Sequence, residues 1–475
     1  ADERLAALGF TDTHATRAAI AELSPGISRA SAVMQQYLPL LLEWLSQSPD
    51  PNRGLLGLRR LLDGPARRST VIAAFRESPL AAERTCTVLG SSRYVREALR
   101  RHPEMVRDLA DDEVLRSPFD RDQLIADANE SVAWRSTVEE QRNGLRRFKR
   151  RKLVEIIYRD LIGHEATPVV GAEITALGEA CLEAAVASLG APLAIIAMGR
   201  FGGCELSYAS DLDVFFVHGG AGASAFERAD RAATHLLRDI GTATTEGETF
   251  HIDADLRPEG KKGMLTLSVD GYRDYYATRA EPWEIQSLLK ARFVAGDPEI
   301  GAAFMELIEP IRYRSDFPPA MAKEIRRVKL RVEKERMPRG ADPEMHLKLG
   351  RGSISDVEFT VQLLQLQHGF EHSSIRTPST HEAISALAAA EVLAADDALA
   401  LGQSFELCEQ IRNATALHLG GDANVFPTGD DAASVAQLCG YESASNLHEE
   451  YRRHTRKARS VMERSFYGIE TGGSA

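Results

Sequence analysis

The stretch AMGRFGGCELSYASDLDVFF, residues 197–216, decides how this chain is read. It begins at the end of PLAIIAMG (192–199), a short isoleucine-rich run bounded by Pro and Gly, which reads as a buried strand. LDVFFVH (212–218) reads as a second strand. Side chains alternate across a strand, so Asp211 and Asp213 project from one face and Leu212, Val214 and Phe216 from the other. Between the two strands lie a turn at Gly202 and Gly203 and a segment, 205–210, that reads as a short helix with its amino end aimed at an anion. TFHIDADL (249–256) reads as a third strand with His251, Asp253 and Asp255 on one face; a helical stretch ending at Gly241 separates it from the second.

Bare carboxylates crowded together repel one another and lose solvation, a conflict that a divalent cation resolves. Three of them on adjacent strands suit two Mg²⁺ ions about 3.5 to 4 Å apart, the arrangement that steadies the attacking and leaving oxygens of a phosphoryl displacement. Glycines in the turn let backbone amides approach a triphosphate, and Ser210 lies beside them. Asp-x-Asp alone is a common turn device; its conjunction with Gly-Gly and a later acidic strand carries the reading. Periodicity does not choose between Asp253 and Asp255 as the third carboxylate.

The totals limit the alternatives. At 475 residues the chain is too long for one compact core. Its abundance of Ala, Leu, Arg and Glu favours helix. The formal charge of −12 sets the whole-protein field against polyanions, which excludes nucleic acid as a first reading and argues against a polymerase or tRNA-adding enzyme with similar site chemistry. No run approaches the roughly 18 apolar residues of a membrane span. The cysteines, Cys86, Cys181, Cys204, Cys408 and Cys439, lack metal-ligand spacing and read as reduced, mostly buried thiols of a cytoplasmic protein. A start without Met reads as the edge of an excised fragment.

Outside residues 190–265, where strands are expected, the pattern is helical. We expect an amino-terminal helical bundle (1–142), a central domain with a mixed sheet (143–313) and a carboxy-terminal helical bundle (314–475). RRFKRRK (146–152) and YRRHTRKARS (451–460) read as solvated basic helix faces. Ser379 and Glu382 have the spacing of a capping box.

GRFGGCELSYASDLDV, IDADLRPEG and KLGRGSISDVEF, in that order, resemble the nucleotidyltransferase half of glutamine synthetase adenylyltransferase. LGSSRYVREALRRHPEMV (89–106), EPWEIQSLLKARFVAGD (281–297) and RTPSTHEAI (376–384) extend the likeness to most of the chain from about residue 30 onward. The resemblance implies a mainly α protein with a central α+β, polymerase-beta-like nucleotidyltransferase domain between helical domains. It implies transfer of AMP from ATP, with two Mg²⁺, to a tyrosine of glutamine synthetase, with the PII signal protein as a further partner and no nucleic acid or membrane. Family proteins carry two such halves, and the wording here favours the carboxy-terminal, adenylylating one. The deadenylylating, phosphorolytic half and a silent nucleotide-binding module are the alternatives.

Carried over by motif, Asp211 and Asp213 are the shared metal ligands, Gly202 and Gly203 the triphosphate turn, and Asp253 rather than Asp255 the third carboxylate. Arg257 follows in the same motif, either as a fork of donors to phosphate or as a salt-bridge partner of Asp255 or Glu259. The family's Gly-Arg-Gly-Gly stands here as Gly350-Arg351-Gly352-Ser353. Ser353 is strained if it needs positive φ and unstrained if it caps the next helix. Lys348 and Arg351 either reach the active site or belong to a joining turn, and the joining turn is the favoured reading.

Overall fold

The computed structural model describes residues 2–23, 29–421 and 423–469. The chain forms two compact units, neither continuous in sequence: Ala1–Pro118 with Arg151–Val170 and Gln410–His448, and Phe119–Arg150 with Gly171–Glu409 and Glu449–Ala475.

The first unit, among its described residues, is built of helices whose starts are written in capping residues. Asp50 accepts the Arg53 amide at 2.8 Å and Pro51 presets φ for the helix Pro51–Leu61. Ser78 and Ser92 cap Pro79–Ser91 and Arg93–Arg101 in the same manner. Helices Pro51–Leu61 and Pro79–Ser91 meet at glycine: a Cβ on Gly54 would lie 3.2 Å from the Gly90 Cα, and one on Gly90 would lie 1.9 Å from Ser48 Oγ. Leu55, Leu58, Val88 and Leu89 are buried along these helices.

The second unit holds a small mixed sheet among helices. Its strands are β1 (Leu193–Ala197), β2 (Leu212–His218), β3 (Ile252–Asp253), β4 (Thr266–Ser268) and β5 (Arg292–Gly296), in the order β3-β2-β1-β5 with β4 also on β2. β1 pairs antiparallel with β2 and with β5, and a register shift between Ile195 and Ile196 bends the second pairing. β2 takes two short parallel partners, β3 at its start and β4 at its end. One face of the sheet, with Ile196, Met198, Phe215 and Val217, packs on Tyr272, Tyr276, Phe304 and Ile308 of the helices Val269–Thr278 and Pro298–Arg312. On the other side Gly178 comes close to Leu212 and Phe201: a Cβ there would lie 3.2 Å from each side chain.

Strands β1 and β2, and the helix Ala223–Gly241 that follows them, fall where the sequence puts them. Three expectations are corrected. The sheet runs beyond residue 265 to include β4 and β5. The third strand is only Ile252–Asp253, because the Asp253 carboxylate accepts the Asp255 amide at 2.7 Å and turns the chain out of the ladder. Residues 205–210 form no helix: Glu205 is buried against Lys290, and Ser210 Oγ accepts the Ser207 amide at 2.9 Å in a local turn that competes with helix.

The basic runs are only partly solvated. Arg146 is buried, its Nε 2.7 Å from the Gly247 carbonyl and its Nη2 3.1 Å from that of Asp239, where it satisfies the carboxyl end of Ala223–Gly241. Arg150 is buried beside Glu246 at 2.6 Å. In 451–460, Arg459 Nη1 lies 3.0 Å from Asp356 Oδ2 and 3.0 Å from Glu333. Lys329, wholly buried, reaches Asp356 Oδ1 at 2.6 Å and Glu333 at 3.2 Å. Asp356 Oδ2 also accepts the Gly352 amide at 2.6 Å, so one carboxylate fixes the turn 350–353. There Gly352 adopts φ +71°, and a Cβ would lie 1.8 Å from the Thr455 carbonyl. Ser353 keeps an ordinary φ of −86° at the start of Ile354–His368, so it bears no strain. Replacing Asp356 with Ala leaves Lys329 buried without its closest counter-charge; we expect a loss of about 3 to 5 kcal/mol in a denaturant titration, against a smaller loss for Lys329→Met.

Candidate active site

The site grows from the register of β2 and β3. Leu212 pairs with Ile252 and Asp213 with Asp253, so the second carboxylate of Asp-x-Asp stands beside Asp253. Asp255 turns away, 3.5 Å from Arg257 and 3.1 Å from Lys261. Asp211 is exposed just before β2, and Asp213 is half-buried. Burial first, and then Asp253, push the Asp213 carboxyl up to about 7; Asp211 and Glu358 add to the push and Lys348 opposes it.

Gly199, with φ +51°, faces this carboxylate: a Cβ there would lie 2.4 Å from Asp213 Oδ2. The Met198 amide donates to the Asp213 carbonyl at 2.8 Å, locking the turn to the strand. Gly202 and Gly203 are buried in the turn and pack against protein. A Cβ on Gly202 would lie 1.8 Å from the Lys290 carbonyl, and one on Gly203 would meet Lys290 Nζ at 2.8 Å and Glu205 Oε2 at 2.9 Å. These two positions are glycine because the backbone passes over Lys290. Beneath them Lys290 Nζ donates to Glu205 Oε2 at 2.8 Å and to Thr380 Oγ1 at 2.7 Å.

Ser210 shares its hydroxyl with Ser207 Oγ at 2.9 Å. Arg257 donates from Nη1 to the Ala254 carbonyl at 2.8 Å and from Nε to the Gly263 carbonyl at 3.3 Å, with Asp255 at 3.5 Å. His251 is exposed, and its carbonyl accepts the Leu212 amide at 2.9 Å.

Two groups of this neighbourhood, Gly199 and Glu358, have no counterpart in the reading of the sequence, and a third, Lys348, has there only the less favoured of its two readings. Gly199 precedes the Gly-Gly pair, and its need for positive φ leaves no periodic mark. Lys348, read as part of a joining turn, stands in the field of Asp213 and of Glu358. Glu358 is partly buried; burial raises its carboxyl pKa while Lys290, Arg200 and Lys348 hold it down. The signal for both was present in KLGRGSISDVEF, where the turn 350–353 reverses the chain and a helix carries Glu358 back.

Crowded, mutually repelling carboxylates with hard oxygen donors fit a divalent cation in chemistry. Among the described residues, however, no group of three or more His, Cys, Asp or Glu side chains is gathered closely enough to form a ready-made metal cage. None of the cysteines is in a disulfide. No helix among the described residues is long and apolar enough to cross a membrane.

Residues 82–307 match the family described as glutamate-ammonia ligase adenylyltransferase, and residues 320–466 match the one described as GlnD PII-uridylyltransferase. A Streptomyces avermitilis protein named bifunctional glutamine synthetase adenylyltransferase/adenylyl-removing enzyme is 38% identical across 98% of this chain and 50% of its own length. Like-named proteins of Leifsonia xyli subsp. xyli and Cutibacterium acnes are 38% and 36% identical, each across 98% of this chain and 48% of their own lengths. The chain thus spans about half the length of the curated relatives it matches.

A carboxyl whose pKa is higher in the folded than in the unfolded chain makes the fold less stable as pH rises between those two values. Asp213→Asn removes that penalty. We expect the variant to be more stable than the parent at pH 8 by on the order of 1 to 2 kcal/mol, with the difference vanishing near pH 4, in metal-free thermal melts.

Proposed function

We propose, from the premise that this chain belongs to the glutamate-ammonia ligase adenylyltransferase family, that it transfers AMP from ATP to a tyrosine of glutamine synthetase. The observation that carries the proposal is the pairing of Asp213 with Asp253 across β2 and β3, beside a turn whose Gly199 makes room for the Asp213 carboxylate. The central α+β region, 143–313, is on this reading a polymerase-beta-like nucleotidyltransferase domain, and the helical regions 1–142 and 314–475 serve docking and control.

Asp211, Asp213 and Asp253 would hold Mg²⁺, which when bound neutralises phosphate charge and makes a hydroxyl a better nucleophile at neutral pH. The remaining work falls to the chain. The backbone at Gly199, free of Cβ, gives the Asp213 carboxylate room to lie against the turn. Lys348 brings a cation to offset the charge that accumulates on the departing pyrophosphate. Tyrosine ionises near pH 10, so an in-line attack on the α-phosphorus requires a proton acceptor. Asp253 would take that role on this reading, with one of its oxygens already fixed by the Asp255 amide. Gly202, Gly203, Ser210 and Arg257 then act behind the nucleotide as the scaffold of the turn and of the β3 exit.

The relatives' shared name includes adenylyl removal, and the second reading of this chain is that direction, with phosphate as acceptor. The likeness of residues 320–466 to a PII-uridylyltransferase family supports the PII protein as a controlling partner. A silent binding module is the weaker reading, since Asp211, Asp213 and Asp253 are all present.

Incubating the chain and Mg²⁺ with labelled ATP and unmodified glutamine synthetase, and in parallel with phosphate and adenylylated enzyme, tests direction and activity together. Label should enter the unmodified enzyme; ADP release in the second tube alone would assign the reverse reaction. Asp253→Asn should cut transfer roughly 100- to 1000-fold with circular dichroism unchanged. Lys348→Ala should raise the KM for ATP roughly tenfold, with little effect on the KM for glutamine synthetase.

A further inference from the structure

The one-turn helix Gly199–Gly202 is too short to hold itself, so its placement depends on what grips its side chains. Arg200 is the gripped residue. Its guanidinium pairs with Glu409, which is 4% exposed, and its Nε and Nη1 are buried with no hydrogen-bond partner among the described residues. Glu409 Oε2 in turn lies 2.7 Å from His381 Nε2. The His381 ring meets Phe405 edge-on at 4.9 Å between centroids, and Arg200 lies 5.9 Å from the same ring. His381 belongs to RTPSTHEAI, a segment that the reaction has not so far used; its neighbour Thr380 receives Lys290 Nζ from beneath the same turn.

We propose that Glu409 and His381 are positioning residues for nucleotide transfer: through Arg200 they hold Gly199 against Asp213. The proposal rests on the adenylyltransferase reading above. The grip is electrostatic as well as geometric. Charged groups face His381 from three sides: Glu409 and Glu406 from Ala395–Leu419, Glu205 from the loop after the turn, and Arg200 beyond Glu409. Burial disfavours the imidazolium, but Glu409, followed by Glu205 and Glu406, outweighs it and raises the His381 pKa above its ordinary value. Burial likewise works against the Glu409 carboxylate, and Arg200 with His381 more than compensates. A histidine raised in this way gives its full contribution at low pH, and the contribution is lost as pH rises through the folded value.

The test uses the full chain, with AMP transfer to glutamine synthetase followed between about pH 6 and 9. In the parent, kcat should fall on the alkaline side. His381→Asn should be roughly tenfold slower at the acid end and should lack that alkaline fall, with the KM for glutamine synthetase unchanged. His381→Lys, cationic throughout, should restore the rate and hold it at alkaline pH. Glu409→Gln should behave as His381→Asn; should its melting curve show it unfolded, the two His381 variants decide. His381→Asn with the parent's rate and pH profile, or His381→Lys as slow as His381→Asn at an unchanged melting temperature, overturns the positioning role and leaves the adenylyltransferase reading standing. A parent chain that transfers no AMP overturns both.

Discussion

The second unit is organised by a repulsion. Asp213 and Asp253 are partners in a two-residue parallel ladder, and no ordinary folding force asks for two acids there. Their proximity is enforced by the remainder of β2, whose Val214, Phe215, Phe216 and Val217 are buried, and by β1, which pairs along the whole of that run. Apolar burial in the middle of the strand offsets electrostatic strain at its end. The glycine turn is drawn into the same compromise: Gly199 yields its side chain to Asp213, and Gly202 yields its own to the Lys290 carbonyl.

Much of this was legible, and the reasons differ by element. β1 and β2 were readable because runs such as LAIIA and LDVFFVH are apolar, β-branched and bounded by turn residues. The Ser379 cap was readable because its hydroxyl accepts the Glu382 amide; the reciprocal half of that box is absent, since Glu382 turns to Thr377. The glycines were legible as glycines but not in their purpose, because the atom that crowds Gly202 belongs to Lys290, far along the chain. β3 was overestimated for a local reason: alternation in HIDADL continues past the point where Asp253 captures the amide of Asp255. β4 and β5 are short and carry little alternation of their own, and they exist as strands because β2 and β1 offer them edges.

Buried ions were the least legible feature. A run such as RRFKRRK invites the reading of a wet surface, yet Arg146 and Arg150 spend their donors on carbonyls and on Glu246. Lys329 and Arg459 converge on Asp356 in the same way. Charge patterning along a sequence records how many ions there are, while their burial depends on pairings between distant residues, 103 positions apart for Arg459 and Asp356. Two of the buried ions in this unit sit under turns: Asp356 beneath 350–353 and Lys290 beneath 202–203.

The parallel pairing of β3 with β2 also orders events in time. β1 and β2 are joined by a short connection, whereas β3 can dock only after the chain has passed through the whole of Ala223–Gly241 and closed a loop of about 40 residues. During synthesis, therefore, a nascent chain carries Asp211 and Asp213 on an unfinished sheet edge, well hydrated and apart from their counterpart. The acids are brought face to face by a long-range closure, separate from the local pairing that joins β1 to β2.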